Sequence, residues 1–128
     1  MKIVTIIVRV LIGLLLLFAS VSYFYMYFTD SFPKPQMSED LKIFNEGLTA
    51  SKYLMPLVKA LELLCGLAFV SGKFVKLANI VILPITVNIL LVHIFLDPAS
   101  IPAALFLFLG NLFLIYRNWD SYKNIITP

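Results

Sequence analysis

Residues 53–71 have the sequence YLMPLVKALELLCGLAFVS, an apolar run long enough to cross a lipid bilayer. The middle residue of this run is an acid, Glu62, and Lys59 precedes it by one helical turn. A carboxyl group at bilayer depth is costly, so it should face protein, an opposite charge or water rather than lipid. The stretch therefore predicts a transmembrane helix with a buried polar site at its centre.

The composition of the whole chain also indicates a membrane protein. Of its 128 residues, 61% are hydrophobic and 13% are charged, and the mean hydropathy is +0.96. Such a chain is too apolar for a soluble domain, so we interpret 1–128 as one membrane domain embedded in the lipid bilayer. The net charge of +3 comes from basic residues that flank apolar runs, and we therefore expect no nucleic-acid binding.

Four apolar runs predict an all-α fold, an up-and-down bundle of four transmembrane helices. The runs cover about 3–28, 53–71, 77–96 and 101–117. The polar segment 29–52 is the first loop, where two prolines precede a short amphipathic helix with Ser38 as its N-cap. Short connections between the later runs force antiparallel neighbours, and the residues after the fourth run form a short polar tail.

Basic residues predict the orientation of the bundle. One end of the four helices would carry most of them, namely Lys2, Arg9, Lys73, Lys76, Arg117 and Lys123. At the opposite end the bases are mixed with acids. Because cytoplasmic segments are enriched in Lys and Arg, we expect both termini in the cytoplasm and loop 29–52 outside.

Polar residues on the four helices lie at similar depths. Counted from the helix ends at 1.5 Å per residue, Arg9, Glu62, Asn88 and Asn111 fall within about 8 Å of one another along the membrane normal. We expect these four side chains to converge on one buried polar or ligand site. The side chain of Arg9 can reach Glu62, while Lys59 competes for the same carboxylate at i, i+3. Which cation pairs with Glu62 stays open, as does a purely structural role for the pair.

His93 and Asp97 are spaced i, i+4 near the outer interface and form a predicted outer-side polar pair. A hydrogen-bonded pair that ends the third helix is favoured over a proton relay or a metal site, because two ligands alone do not make a metal site. The chain has one cysteine and one histidine, which excludes an intrachain disulfide and a bis-histidine haem within one chain. We expect no metal and no cofactor held by this chain's own ligands.

Three stretches resemble the DoxX family of small bacterial membrane proteins. They are RVLIGLLLLF at 9–18, YLMPLVKALELLCGLAFVSGKFVKLA at 53–78 and PITVNILLVHIFLDPASIPAALFLFLGNLFLIYRNWDSY at 84–122. The resemblance covers nearly the whole chain. It implies a four-helix membrane bundle in the bacterial cytoplasmic (inner) membrane, with the family's characteristic polar positions at Arg9, Glu62, Asn88, His93 and Asp97.

The resemblance also implies a class of function. Some relatives are subunits of a thiosulfate:quinone oxidoreductase, and another is a partner in a membrane-associated oxidoreductase complex for thiol stress. We therefore expect an accessory subunit that is not catalytic alone, has no assigned catalytic residue and works with a membrane or peripheral oxidoreductase. Its polar site would surround Glu62, and a quinone is the ligand class that this role brings.

Two other functions stay open. Four short helices around one membrane-embedded acid is also the layout of a small-molecule or proton-coupled transporter. A purely structural membrane assembly factor would use the same polar residues only for packing. In either case a second copy of the chain is a candidate partner.

Overall fold

The computed structural model describes residues 2–29 and 39–126. Within these ranges the chain forms α-helices and one short 3-10 turn, with no strand, so the predicted all-α class is confirmed. The elements are α1 (Lys2–Thr29), α2 (Glu39–Ala50), α3 (Leu54–Ser71), α4 (Val75–Leu96), the 3-10 turn Pro98–Ser100, α5 (Ile101–Arg117) and α6 (Trp119–Ile126). The predicted cap Ser38 and the two loop prolines lie outside the described residues.

Four helical segments are long and apolar enough to span a membrane: α1, α3, α4 and the segment 98–117 that contains α5. The most extensive contacts join α1 to α3 and α4 to α5, and contacts of α3 with α4 and of α1 with α5 close the ring. Large apolar side chains such as Phe18 and Phe95 are exposed on the outside, each at 76%, as expected where lipid is the solvent.

Glycines allow α1 to approach α3 and α5 closely. A Cβ atom on Gly13 would lie 2.7 Å from Cγ2 of Val70 and 3.0 Å from the carbonyl oxygen of Gly66. On the other side of α1, the side chain of Ile12 fills the space that a Cβ on Gly110 would need. Small residues at these crossings therefore set the spacing of the helices.

The turn between α3 and α4 contains two residues in the left-handed region. Gly72 has φ 79° and its N–H donates to the carbonyl oxygen of Ala68 at 2.9 Å, which ends α3. Phe74 has φ 60°, and α4 begins at the next residue. The turn is so short that α3 and α4 must be antiparallel neighbours.

The connection from α2 to α3 holds α2 against one end of the bundle. The Ser51 hydroxyl donates to the carbonyl oxygen of Leu48 at 2.6 Å and accepts from the N–H of Leu54 at 3.1 Å. Between these residues Lys52 adopts φ 71°. As a result α2 packs on α3 and α4 where α3 begins and α4 ends, so the short amphipathic helix of the first loop covers that end of the bundle.

Candidate ligand cavity beside Glu62

Glu62 is buried inside the bundle and has a cationic partner on its own helix. Its exposed fraction is 2%, and the Nζ atom of Lys59 lies 3.1 Å from Oε2 of the carboxylate. Residues three apart on a helix share a face, so α3 alone can form this pair. Lys59 rather than Arg9 is therefore the partner of Glu62.

The ion pair does not complete the hydrogen bonding of the carboxylate. Oε2 of Glu62 is buried and accepts no hydrogen bond from any described residue, so its contact with Lys59 is electrostatic without hydrogen-bond geometry. An ionised carboxylate can accept several hydrogen bonds, and a buried one that lacks them is costly. The pair therefore has unused capacity for a polar partner.

A cavity of about 390 Å³ lies beside the Lys59–Glu62 pair, lined by α2, α3 and α4. Its polar lining residues are Asn45, Lys59, Glu62, Asn88 and His93. The rest of the wall is apolar and consists of Phe44, Leu48, Leu54, Met55, Val58, Ile85, Ile89 and Val92. Cavities of about 300–1,000 Å³ with mostly apolar walls and a few polar groups are typical of small-molecule sites.

Helical periodicity brings these lining residues together. On α3 they recur at 55, 58, 59 and 62, and on α4 at 85, 88, 89 and 92, which is one face of each helix. Because α3 begins at Leu54, Glu62 lies eight residues from the covered end, or about 12 Å. The cavity thus runs from α2 to the middle depth of the bundle.

The polar residues of α4 present hydrogen-bond acceptors. The side-chain amide of Asn88 donates to the carbonyl oxygen of Pro84 at 3.0 Å, which leaves its Oδ1 as an acceptor. Nδ1 of His93 lies 2.7 Å from the carbonyl oxygen of Ile89. Since a carbonyl only accepts, Nδ1 carries the proton, so Nε2 is an acceptor whenever the ring is neutral.

The structure does not bring His93 and Asp97 together as the predicted outer-side pair. No ion pair or hydrogen bond joins them within the described ranges, and His93 turns back to Ile89 instead. Asp97 has φ −148°, outside the helical range, so the i, i+4 geometry ends one residue before it.

Arg9 lies well away from Glu62, contrary to the expected convergence. Its Nη1 atom is 3.1 Å from the position that a Cβ on Gly72 would occupy. Gly72 follows Glu62 by ten residues, or about 15 Å along α3. Cα–Cβ bonds point toward the N-terminus of a helix, and α1 and α3 are antiparallel, so Arg9 and Glu62 project toward opposite ends of the bundle.

Asn111 belongs to a separate polar cluster, buried between α4, α5 and α6. Its Oδ1 accepts from the hydroxyl of Thr86 at 3.0 Å, and its Nδ2 donates to the carbonyl oxygen of Asn79 at 3.3 Å. The amide of Asn79 donates to the Tyr122 hydroxyl at 3.3 Å, and that hydroxyl donates to the carbonyl oxygen of Lys76 at 2.7 Å. These bonds tie three helices together, so this cluster locks one side of the bundle.

Tyr122 is a buried polar residue that the predicted site did not include. The segment expected to be a polar tail is α6, and it inserts Tyr122 into the bundle with 4% of its surface exposed. Burial raises the pKa of the Tyr122 hydroxyl above its usual 10.0, although the hydrogen bond from Asn79 acts in the opposite direction. The sequence signal for this cluster lies on α4, where Asn79 and Thr86 are two turns apart and form a polar face.

Comparison with known proteins places the chain in a family. The DoxX family model matches residues 4–94, which extend from α1 almost to the end of α4 and include the Lys59–Glu62 pair. Comparisons with curated proteins and with solved structures give no match. The family model covers more than half of the chain, and the matched region contains most of each of three helices that could span a membrane, α1, α3 and α4. The chain therefore belongs to the DoxX family of multi-pass membrane proteins.

Proposed function

We propose that this DoxX protein binds a small lipophilic molecule of the quinone class in the cavity between α2, α3 and α4. In this role it is an accessory subunit of a membrane redox system and not an enzyme by itself. The observation that carries the proposal is the buried Lys59–Glu62 pair in the wall of an otherwise mostly apolar cavity. A charged pair is costly at this depth, so its position beside a cavity favours contact with a ligand.

The residues of the cavity suit a flat ring with oxygen substituents. Phe44, Met55 and Ile89 offer apolar and polarisable contacts to the ring, and the volume is within the range of small-molecule sites. The Lys59 ammonium has three N–H donors and makes a single contact, to Glu62, so other N–H groups can donate to a carbonyl oxygen of the ring. A bound quinone would supply the electron and proton transfer that these side chains do not.

The acceptors in the cavity complement the reduced form of such a ring. A quinol carries hydroxyl groups, which donate hydrogen bonds. The carboxylate of Glu62 and Oδ1 of Asn88 are acceptors, and so is Nε2 of His93 when its ring is neutral. One wall therefore offers a donor for the oxidised form and acceptors for the reduced form.

Photolabelling with an azido-substituted, short-tailed quinone tests the ligand site. The full chain is placed in lipid nanodiscs, irradiated and digested, and the labelled peptides are identified by mass spectrometry. We expect labels within 54–62 and 85–93, and protection by excess unlabelled quinone. Val58→Trp fills the cavity and should abolish labelling. Leu57→Trp is the matched control, because Leu57 is 50% exposed and does not line the cavity.

Equal labelling of the two tryptophan variants would exclude this cavity as the site. The accessory role is tested separately by cross-linking in the native membrane and identification of the linked proteins. An oxidoreductase cross-linked to the wild-type chain would support the role. Recovery of only further copies of the chain would contradict it without affecting the ligand site.

A further inference from the structure

A second cavity lies at the other end of the bundle, away from α2. It has a volume of about 370 Å³ and is lined by the start of α1, the turn after α3 and the end of α5. Its polar side chains are Thr5, Arg9, Lys76 and Asn118, and no acid of the described ranges lines it. The cavity is therefore a positively charged recess at one end of a membrane bundle.

Arg9 enters this recess without a partner among the described residues. Its Nε atom is buried and unbonded, and no carboxylate or carbonyl oxygen within 2–29 and 39–126 binds the guanidinium. An arginine offers five N–H donors in a planar fork that suits carboxylate and phosphate groups. An unpaired guanidinium at the edge of the apolar region is costly, so an anion from outside the chain would complete it.

Neighbouring groups add to the positive charge around Arg9. Lys76 lines the same recess, and Arg117 reaches its edge, where its Nε donates to the hydroxyl of Thr5 at 3.1 Å. The N-terminus of α4 also lies here, and its N-cap residue Phe74 supplies no side-chain cap. Free N–H groups at a helix start favour an anion, which adds to the attraction of the side chains.

We propose that this recess binds a phosphate-bearing anion, the headgroup of an acidic phospholipid. Basic recesses between transmembrane helices near the membrane surface suit such headgroups. Phe74 supports lipid over a soluble anion, because it is shared with an apolar groove of about 540 Å³ between α3 and α4. A lipid whose headgroup phosphate lies beside Arg9 and Lys76 could thus place an acyl chain in this groove, along the membrane-facing side of the bundle.

Lipid binding by the full chain in neutral detergent tests this proposal. Native mass spectrometry measures binding of dioleoylphosphatidylglycerol, with dioleoylphosphatidylcholine as the zwitterionic comparison. Arg9→Gln and Lys76→Gln should each bind the acidic lipid about fivefold more weakly, the effect typical of one lost cation near an anionic surface. Lys123→Gln is the matched control, because this cation pairs with Asp120 at 3.5 Å outside the recess.

Lys76→Gln keeps the test valid even if Arg9→Gln fails to fold. The Lys76 side chain is exposed, and the bond from Tyr122 goes to the backbone carbonyl of Lys76, which the substitution leaves in place. A separate arm adds inorganic phosphate as a competitor. If inorganic phosphate displaces the acidic lipid, the recess is still an anion site, and free phosphate is a second ligand of it. Equal lipid binding by Lys76→Gln and Lys123→Gln would overturn the proposal.

Discussion

The Nζ atom of Lys59 lies 3.1 Å from Oε2 of Glu62, and both residues belong to α3. A pair within one helix does not join two helices, so it does not hold the bundle together. Both charges instead stay on one wall of the cavity beneath α2. The lock between helices is the amide and hydroxyl cluster that includes Asn111 and Tyr122. The Lys59–Glu62 pair therefore belongs to the cavity, and the cluster of Asn111 and Tyr122 holds helices together.

Removal of one partner of the α3 pair should destabilise the protein more than removal of both charges. Lys59→Met leaves the carboxylate of Glu62 buried without a counter-charge, which costs about 3 kcal/mol, near the low end for buried pairs because Lys59 retains some exposure. Lys59→Met combined with Glu62→Gln should regain most of the loss. Thermal unfolding in detergent measures both, and a single variant as stable as the wild type would contradict the prediction.

Loss of the Tyr122 hydroxyl should weaken the lock between α4 and α6. Tyr122→Phe removes the bond to the Lys76 carbonyl and the acceptor for Asn79, and we expect a loss of about 1–2 kcal/mol. Tyr116→Phe is the control, because Tyr116 is 71% exposed. Denaturation of the two variants in the same detergent should separate them, and indistinguishable midpoints would rule out the lock.

The same hydroxyl should make stability depend on alkaline pH. Because burial raises the pKa of Tyr122 in the folded state, the folded protein binds this proton more tightly than the unfolded chain. The contribution is present below about pH 10, the usual tyrosine value, and is lost as the pH rises through the folded-state pKa. Unfolding midpoints measured from neutral to alkaline pH should fall more steeply for the wild type than for Tyr122→Phe. Parallel curves would show that Tyr122 does not contribute.

A methyl group at the α1–α3 crossing should be destabilising. Gly13→Ala places its Cβ 3.0 Å from a backbone oxygen and closer still to Val70, so the helices must separate, at a cost of about 1–3 kcal/mol. Gly47→Ala in α2 is the control, because a Cβ added there would meet no atom of the described residues within 4 Å. At that position alanine should be neutral or stabilising through helix propensity. If Gly13→Ala melts at or above the wild-type temperature, the close crossing is wrong.

The basic end of the bundle should face the cytoplasm. Cysteines introduced at Thr49 in α2 and at Ser71 before the α3–α4 turn, in a Cys65→Ser background, report the two sides. An impermeant thiol reagent added to intact spheroplasts should label position 49 and spare position 71, because Lys and Arg are retained in the cytoplasm. The opposite labelling pattern would show that the orientation is inverted and that the cavity beneath α2 lies on the cytoplasmic side.

Sequence was sufficient for the four spans, for α2 and for part of the site, but not for α6. Long apolar runs must form helices in a bilayer, so the four spans follow from run length. The i, i+3 spacing of Lys59 and Glu62 was enough to name their pairing as one alternative. The residues that line the cavity on α3 and on α4 also recur at helical spacing, so each set shares one face of its helix. Nothing in the sequence indicated that these two faces meet α2.

Only the tertiary structure decided which polar residues meet. Depth along the membrane follows from a rise of about 1.5 Å per residue, and this made Arg9, Glu62, Asn88 and Asn111 look like one group. The rotation of each helix and the direction of each side chain depend on packing instead. Close contact at Gly13 and Gly110 sets α1 between α3 and α5, with Arg9 directed to Gly72. The same packing turns Asn111 toward α4 and leaves Glu62 with Asn88 at the cavity. Depth gives only one of the three coordinates of a side chain, and a contact between two side chains requires all three.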